Sequence, residues 1–581
     1  MRRLRTIGLL LASAGLIVAG LFLPSDWLVD GATLVRALLI AEGVALGAVG
    51  ALDLRFTPLA QSALLPPSRQ SDVRTSPAAH LRGPWVLAAL AAVAVVALGL
   101  RLVHLGDDLW LDEIVTVRQY ASGSVREMFA ALDAANNHLL NSLGVHLSIR
   151  VFGQTAWAIR LPALVWGVLT VPALYWAARQ LFEPLLSFAA ATLLAVSYQH
   201  VFFSQDSRGY TAYMLFGLAS TTLLTRALRE DRLELWAAYV AASLLCIASV
   251  PTGAFVVAGN ALVACVAFVS TVRRGSPDTM RLLRRLLIVY GAIGALSAQL
   301  YAPVVTHAAG AAQGAWRSSA SGFHPFSIGF ARQLGQGFTG RVGPLLLLVA
   351  VPVALAGLAG SWSVVRRDWA LAAGLTVGPL LNVAFVVVRG LAFAPRFLLF
   401  LAFPAILAAV ETVRLVAGWI IRVAAKGDVT RRPRSLQAVQ VLGIVLAAGV
   451  LAAPLVGYYR IEKQPYQAAL ARAATLRPSG VVIAADNMEQ GVLYYGIEHP
   501  GTRKALAPGV DVFFVRSATA LDSALTAAAG RTPVVLTTLD RALRTGRPLL
   551  YARIRAHWEP AARLSGSIGD GGITIWLPRD G

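Results

Sequence analysis

The stretch PWVLAALAAVAVVALGLRLVHLGDDLWLDEIVTVRQY, residues 84–120, decides the class of fold. Its first part, 84–104, is an apolar run of the length that an α-helix needs to cross a membrane, about 20 residues. Its second part crowds the carboxylates of Asp107, Asp108, Asp112 and Glu113 around a single tryptophan. We interpret the junction as the point where a helix leaves a membrane, so the adjacent acids at that point require an explanation.

The composition of the whole chain agrees with a membrane location. Of its 581 residues, 57% are hydrophobic and only 14% are charged, whereas soluble domains are about one-quarter charged. The formal net charge of +21 comes mostly from short basic clusters between apolar runs. Such clusters encode membrane topology, so we do not expect nucleic-acid binding. Cys246 and Cys265 lie inside apolar runs, and we interpret them as packing residues rather than a disulfide or a metal site.

Apolar segments long enough to span a membrane recur along the chain. We predict about 13 transmembrane helices, near 5–23, 32–52, 84–104, 158–178, 184–203, 209–227, 234–251, 253–271, 284–305, 342–364, 369–389, 396–417 and 437–457. With the N-terminus inside, the arginine-rich loops fall inside, and the loops that lack Lys and Arg fall outside, as the positive-inside rule requires. The first segment also has the pattern of a signal peptide, but we interpret it as an uncleaved helix.

This topology places the loop 105–157, the loop 306–341 and the tail from about 458 outside the membrane. In the tail, four segments are strand-like and ALDSALTAAAG (520–530) is helix-like. The four segments are VVIAAD (481–486), VDVFFV (510–515), PVVLTTLD (533–540) and ITIWLP (573–578). The predicted fold class is therefore a mainly α, polytopic membrane protein with a small C-terminal α/β domain outside the cytoplasm.

We expect three regions along the chain. Residues 1–83 form two N-terminal transmembrane helices and a cytoplasmic connector, 84–457 form a transmembrane catalytic domain with the outer loop 105–157, and 458–581 form the α/β domain.

Polar groups concentrate at the predicted outer ends of the helices. They occur in NNHLLNSL (136–143), in SQDSRGY (204–210) and around Arg389 and Arg396. Each has a simpler interpretation: a solvated loop anchored by Trp110, an ordinary turn, or arginines that extend to lipid headgroups. Together, however, they suit the transfer of a group from an anionic lipid carrier. A carboxylate can accept a proton from the acceptor, and an arginine can hold a phosphate bidentately.

Several motifs, in this order, resemble the GT-C membrane glycosyltransferases. The motifs are WLDE after an apolar helix, NNHLLNSL, RLPALVWGVLTVPALYWAARQLF (160–182), SQDSRGYTAY and PRFLLFLAFP (395–404). The resemblance covers roughly residues 84–420 and is nearest to the ArnT and protein-mannosyltransferase-like group. It implies a polyprenyl-phosphate-linked sugar donor, used outside the membrane with inversion at the anomeric carbon.

The resemblance also implies roles for individual residues. Asp112 and Glu113 match the outer-loop acid pair of the family, with Asp112 as the general base, and Asp206 matches a further catalytic acid. The remaining matches are Arg208 and Arg396 for the donor phosphate, and Tyr210, Asn137 and His138 for substrate binding. The sequence departs from the family at 136–143, because relatives often carry H-P-P-L-Y there and the prolines are missing.

The expected partners are membrane lipids, a polyprenyl-phosphate sugar that donates a hexosyl or pentosyl group, and an acceptor on a lipid, an envelope glycan or a protein. Paired acids are compatible with a divalent metal, but the resemblance argues against an obligatory metal or other cofactor. The expected location is the bacterial cytoplasmic membrane, with the active site facing the periplasm. Two alternatives remain, a ligase or polymerase of lipid-linked glycans and a membrane transporter or flippase.

Overall fold

The structure, a computed structural model, describes most of the chain. The described residues are 12–21, 32–51, 84–130, 137–302, 357–389, 395–424, 433–476, 480–498, 510–528, 530–531, 533–567 and 571–579. The predicted outer loop 306–341 and the predicted connector 53–83 lie outside these residues.

Long apolar helices dominate the described residues. Seven of them are long and apolar enough to cross a membrane: Trp85–Leu102, Ala156–Ala178, Gly253–Arg273, Thr279–Tyr301, Trp369–Val388, Arg396–Ala424 and Pro433–Tyr458. Helices Pro184–Val196 and Tyr198–Ser204 meet at a bend of 59° and make an eighth if they form one span. A multi-pass, mainly α fold is thereby confirmed. The count of 13 stays a prediction, since the spans near 5–23 and 342–364 fall partly outside the described residues.

The described residues also form further helices. They are Ala12–Leu21, Ala32–Ala51, Leu111–Val115, Val125–Ala130, Leu139–Phe152, Tyr210–Glu230, Leu233–Ser249, Tyr466–Leu476, Met488–Gly491, Ala518–Ala527, Asp540–Gly546 and Pro548–His557, with π-helical turns at Thr116–Ala121 and Val492–Glu498 and a 3₁₀ helix at Pro395–Leu401.

The chain divides into two compact units. The first, called the helical unit here, consists of residues 1–101, 124–144 and 162–454. The second, called the sheet unit, consists of residues 102–123, 145–161 and 455–581. The boundaries of the three regions expected from the sequence stay a prediction. In the structure, residues 102–123 and 145–161, most of which belong to the predicted outer loop, form one compact unit with the C-terminal residues.

Small residues allow close helix packing in the helical unit. A Cβ added to Gly259 would lie 2.6 Å from the backbone nitrogen of Gly378, so helices Gly253–Arg273 and Trp369–Val388 approach backbone to backbone. Such contacts are typical of helices in lipid, where dispersion and polar contacts replace the hydrophobic effect between helices. Next to this contact, the Asn260 side chain donates to Ser220 at 3.2 Å and accepts from Thr221 at 3.1 Å.

The sheet unit contains a five-stranded sheet in the order β2-β1-β3-β5-β4. The strands are β1 Val481–Ala485, β2 Asp511–Val515, β3 Val534–Thr538, β4 Trp558–Leu564 and β5 Ile573–Pro578. Strand β1 runs parallel to β2 and β3, whereas β5 runs antiparallel to β3 and β4. Strands β1 and β3 are buried throughout, because both faces of the sheet are covered, and they therefore read as continuous apolar runs.

Each of the four predicted strands is present, and so is the predicted C-terminal α/β fold. Strand β4 is an addition. Its sequence WEPAARL is exposed at most positions and contains a proline, as is usual for a strand at the edge of a sheet.

Residues 102–123, called the acid-rich segment here, contribute to the core of the sheet unit. Leu109, Ile114 and Val117 are buried in the same hydrophobic cluster as Val482 of β1 and Leu536 of β3. Residues 102–123 therefore fold as part of the sheet unit, although more than 300 residues separate them in sequence from the sheet.

Candidate functional site

The acids of WLDE lie in a short helix, Leu111–Val115, whose start is fixed by one of them. Trp110 is extended, with φ −87° and ψ 169°, and its amide donates to Glu113 Oε2 at 3.1 Å. This side-chain cap satisfies an amide that would otherwise lack a partner at the helix start. Asp112 and Glu113 also stand in the first helical turn, where the helix dipole favours negative charge.

Glu113 is fully buried and forms an ion pair with Arg160. The guanidinium donates through Nε to Oε1 at 2.9 Å and through a terminal nitrogen to Oε2 at 2.7 Å, the bidentate geometry that makes such pairs strong. The same guanidinium donates to the carbonyl oxygens of Leu105, Asp107 and Asp108 at 3.0, 2.8 and 2.9 Å. Arg160 therefore fixes the backbone of the acid-rich segment just before its helix.

Asp112 differs from its neighbour in exposure. Its side chain is half-buried, and its carbonyl accepts a hydrogen bond from the Thr116 hydroxyl at 2.9 Å. Successive residues of a helix point in different directions, so the two acids face different surroundings. Glu113 is fully buried and bound to Arg160, whereas Asp112 is only half-buried.

His104 attaches the start of the segment to the C-terminal part of the sheet unit. Its Nε2 lies 2.6 Å from the carbonyl oxygen of Tyr459, and its Nδ1 contacts the Asp107 carboxylate. Burial lowers the pKa of His104, but Tyr459, Asp107 and Glu462 outweigh it, so the pKa is raised overall. Arg160 and Lys463 line the same small pocket. Protonated His104 can donate from both ring nitrogens, which stabilises this attachment.

The helical unit brings three of the other predicted residues together. The Gly209 amide donates to His138 Nδ1 at 2.8 Å, Arg208 lies 3.4 Å from His138 Nε2, and the Tyr210 ring meets the imidazole edge-on with centroids 5.2 Å apart. His138 and Arg208 are buried. Burial and the charges of Arg208 and Arg396 lower the pKa of His138 well below its usual range. The imidazole is therefore neutral at physiological pH.

The turn that carries Arg208 is positioned by a residue that the sequence did not single out. Arg101 is fully buried, donates to the Ser204 hydroxyl at 3.0 Å and to the Ala195 carbonyl at 3.0 Å, and accepts from Gln205 at its own carbonyl at 2.9 Å. The sequence does contain a signal for Arg101, because the positive-inside rule disfavours an arginine at the predicted outer end of the span 84–104.

Gly209 is required by a close approach within this turn. A Cβ at this position would lie 2.0 Å from the carbonyl oxygen of Ser249. The glycine therefore lets the backbone after Arg208 lie against the end of helix Leu233–Ser249, where its amide reaches His138.

The remaining predicted residues have individual positions. Asn137 is buried, donates to the Met128 carbonyl at 2.7 Å and accepts from Ser142 at 2.9 Å, so its amide shapes the start of helix Leu139–Phe152. Asp206 is buried in the same turn as Arg208, and Arg396 is exposed at the start of its helix. Among the described residues, no three His, Cys, Asp or Glu side chains are grouped so that they could hold a metal ion.

Comparison with known proteins addresses the class of protein. The family model described as dolichyl-phosphate-mannose-protein mannosyltransferase matches residues 142–274. This segment includes the SQDSRGY turn and the helices on both sides of it. Over these residues, the resemblance to protein-mannosyltransferase-like GT-C membrane glycosyltransferases is confirmed. No curated protein sequence matches the chain.

Several solved structures are similar to the chain, each at low sequence identity. ArnT from Cupriavidus metallidurans, bound to undecaprenyl phosphate, is 15% identical with a TM-score of 0.45, over 85% of this chain and 97% of that one. The Archaeoglobus fulgidus oligosaccharyltransferase in its apo form is 13% identical with a TM-score of 0.46, over 83% and 73% of the two chains. The arabinosyltransferase EmbB from Mycobacterium smegmatis is 14% identical with a TM-score of 0.39, over 74% and 45%.

Proposed function

We propose that the protein is an inverting glycosyltransferase that moves a sugar from a polyprenyl-phosphate-linked donor to an acceptor on the outer face of the cytoplasmic membrane. The observation that carries the proposal is the group formed by His138, Arg208 and Tyr210 in the helical unit. A buried guanidinium beside a neutral imidazole supplies hydrogen-bond donors and positive charge, which are the features that recognise a phosphate.

Arg396 adds to this electrostatic environment. Its charge lowers the pKa of His138 together with burial and Arg208, so the positive charges of both arginines act at the imidazole. An anionic ligand at this place would reduce the repulsion between the two guanidinium groups. Because Arg396 is exposed at the start of its helix, we propose that it contacts the donor phosphate from the solvent side.

The proposed reaction is a direct displacement. The acceptor oxygen or nitrogen forms a bond to the anomeric carbon while the bond from that carbon to the phosphate oxygen breaks. The electron pair leaves on the phosphate oxygen, whose charge Arg208 and Arg396 would stabilise. The acceptor proton goes to a carboxylate, and we assign this role to Asp112, which is half-buried, whereas Glu113 is fully buried and bound to Arg160.

Two measurements test the proposal. The first is mass spectrometry of lipids extracted with the purified protein, in which we expect a polyprenyl-phosphate sugar. The second is single-turnover transfer from that defined donor, in which Asp112→Asn should lose about 10²–10⁴-fold in rate and still bind the donor. Asp522→Asn makes the same chemical change at a half-exposed position in the sheet unit and should transfer normally. A variant series in which Asp206→Asn is inactive and Asp112→Asn is active would assign the base to Asp206 instead.

Arg208→Ala tests the phosphate site separately. It should weaken donor use, whereas Arg232→Ala, at an exposed position of the same unit, should have no effect. If Arg208→Ala has normal donor affinity, Arg208 does not bind the donor phosphate, and the proposed function loses its main support.

A further inference from the structure

Besides the His104 contact, hydrogen bonds from residues 108–111 join the acid-rich segment to residues near the other end of the chain, all within the sheet unit. The Leu109 amide donates to the Tyr495 hydroxyl at 2.6 Å, and the Leu111 amide donates to Gln464 Oε1 at 2.8 Å. Asp108 accepts from the Gln467 amide at 2.7 Å and from the Gln467 side chain at 2.6 Å. These contacts lie on the residues directly before Asp112.

Gln464 connects this segment to the sheet itself. Its side chain is fully buried, and its Nε2 donates to the hydroxyl of Thr538 at 3.1 Å. Thr538 is the last residue of β3. One amide side chain therefore bridges the first residue of helix Leu111–Val115 and the carboxyl end of a central strand.

The carboxyl ends of parallel strands are where open α/β sheets usually bind their ligands. In this protein, helix Met488–Gly491, which follows β1, packs against helix Leu111–Val115. The carboxyl ends of β1 and β3 are thus used to hold a segment of the same chain.

We propose that the C-terminal α/β fold positions the catalytic acid, with Gln464 and the pair of Asp108 and Gln467 as positioning residues for Asp112. This inference rests on the proposed function, because it requires Asp112 to act in the reaction. The Asp108 carboxylate accepts two hydrogen bonds from one residue, which fixes it in two directions. Because Asp112 follows four residues later, the fixed position of Asp108 also fixes the backbone that carries Asp112.

An exchange of the two side chains tests the pair. In Asp108→Asn, the new amide nitrogen would face a donor on Gln467, and in Gln467→Glu two carboxylates would face each other. In the double variant, the amide oxygen introduced at position 108 can accept from the backbone amide of residue 467, while the amide nitrogen donates to the carboxylate introduced at position 467. The carbonyl of residue 108, which binds Arg160, is unchanged in all three variants.

Two readouts are needed at neutral pH. Hydrogen exchange of residues 106–118 reports whether the segment stays attached, independently of chemistry. Single-turnover transfer reports the position of Asp112. Because hydrogen bonds to charged groups are stronger than those between neutral groups, each single variant should exchange about 10- to 100-fold faster in this segment and transfer more slowly. The double variant should recover both, since the coupling between the two positions would be restored.

The outcomes separate the inference from the proposed function. Single variants that keep wild-type exchange, or a double variant that recovers neither readout, would overturn the positioning role. Fast exchange with normal transfer in the single variants would also overturn it, because attachment would then have no effect on the reaction. Normal transfer by Asp112→Asn would instead refute the proposed base, whatever the exchange data show.

Discussion

The ion pair between Glu113 and Arg160 allows the sharpest prediction about stability. Replacing Glu113 by Gln leaves the Arg160 guanidinium, which is 1% exposed, without its countercharge. Removing one partner of a buried pair typically costs about 3–5 kcal/mol, because the remaining charge is buried and uncompensated. The amide cap that Glu113 supplies to Trp110 is weakened in the same change.

This loss should appear as local opening of the acid-rich segment. Each 1.4 kcal/mol is a factor of about ten in an equilibrium constant, so protection factors of residues 106–118 should fall by about 10²–10³·⁵. Hydrogen exchange followed by mass spectrometry in detergent or nanodiscs measures this change directly. We therefore expect Glu113→Gln to slow sugar transfer more than the loss of a single orienting hydrogen bond would. The slower transfer should arise from the altered position of Asp112.

Two further variants make the result specific. Arg160→Lys keeps the charge but loses the planar fork that reaches both carboxylate oxygens and the backbone carbonyls, so its protection should be intermediate. Glu234→Gln changes an exposed glutamate of the helical unit, 74% accessible, and should leave the segment unaffected. If Glu113→Gln has wild-type protection in residues 106–118, the ion pair does not hold the segment and this reasoning is wrong.

Arg396→Ala should weaken use of the lipid-phosphate donor by about 1.5–3 kcal/mol, and Arg396→Lys should recover only part of it; normal donor kinetics in both would mean that the arginine only extends to headgroups. Protonated His104 stabilises the attachment of the segment, so that contribution should be complete below the unfolded pKa, 6.5, and should be lost as the pH rises through the higher folded-state pKa. Protection factors of the segment should therefore fall with rising pH in the wild type, and equal pH profiles in the wild type and His104→Gln would contradict this. Cysteines placed at 24–31 or in the tail should react with a membrane-impermeant thiol reagent in spheroplasts, whereas one near Arg274 should not; the reverse labelling pattern would place the acids inside.

The amino-acid sequence by itself determined the local features of this protein. Apolar runs of spanning length predict helices wherever the structure describes them, because a chain in lipid must satisfy its backbone polar groups within each segment. Strands β1 and β3 were predictable for a similar reason, since parallel strands that are covered on both faces are short continuous apolar runs. Because successive residues point in different directions, the adjacency of Asp112 and Glu113 also implies different surroundings for the two acids.

The tertiary structure decided which distant residues meet. Nothing in the sequence near Glu113 indicates that Arg160 binds it, because an ion pair depends on the folded path of the chain and not on spacing along it. The grouping of residues 102–123 with the C-terminal sheet has the same origin. In the sequence, Leu109 and Ile114 belong to a polar loop. In the structure, they are buried in the same hydrophobic cluster as residues of β1 and β3. Local sequence patterns were therefore enough to predict the helices and strands. Which of the many apolar and charged residues contact one another depends on the three-dimensional packing.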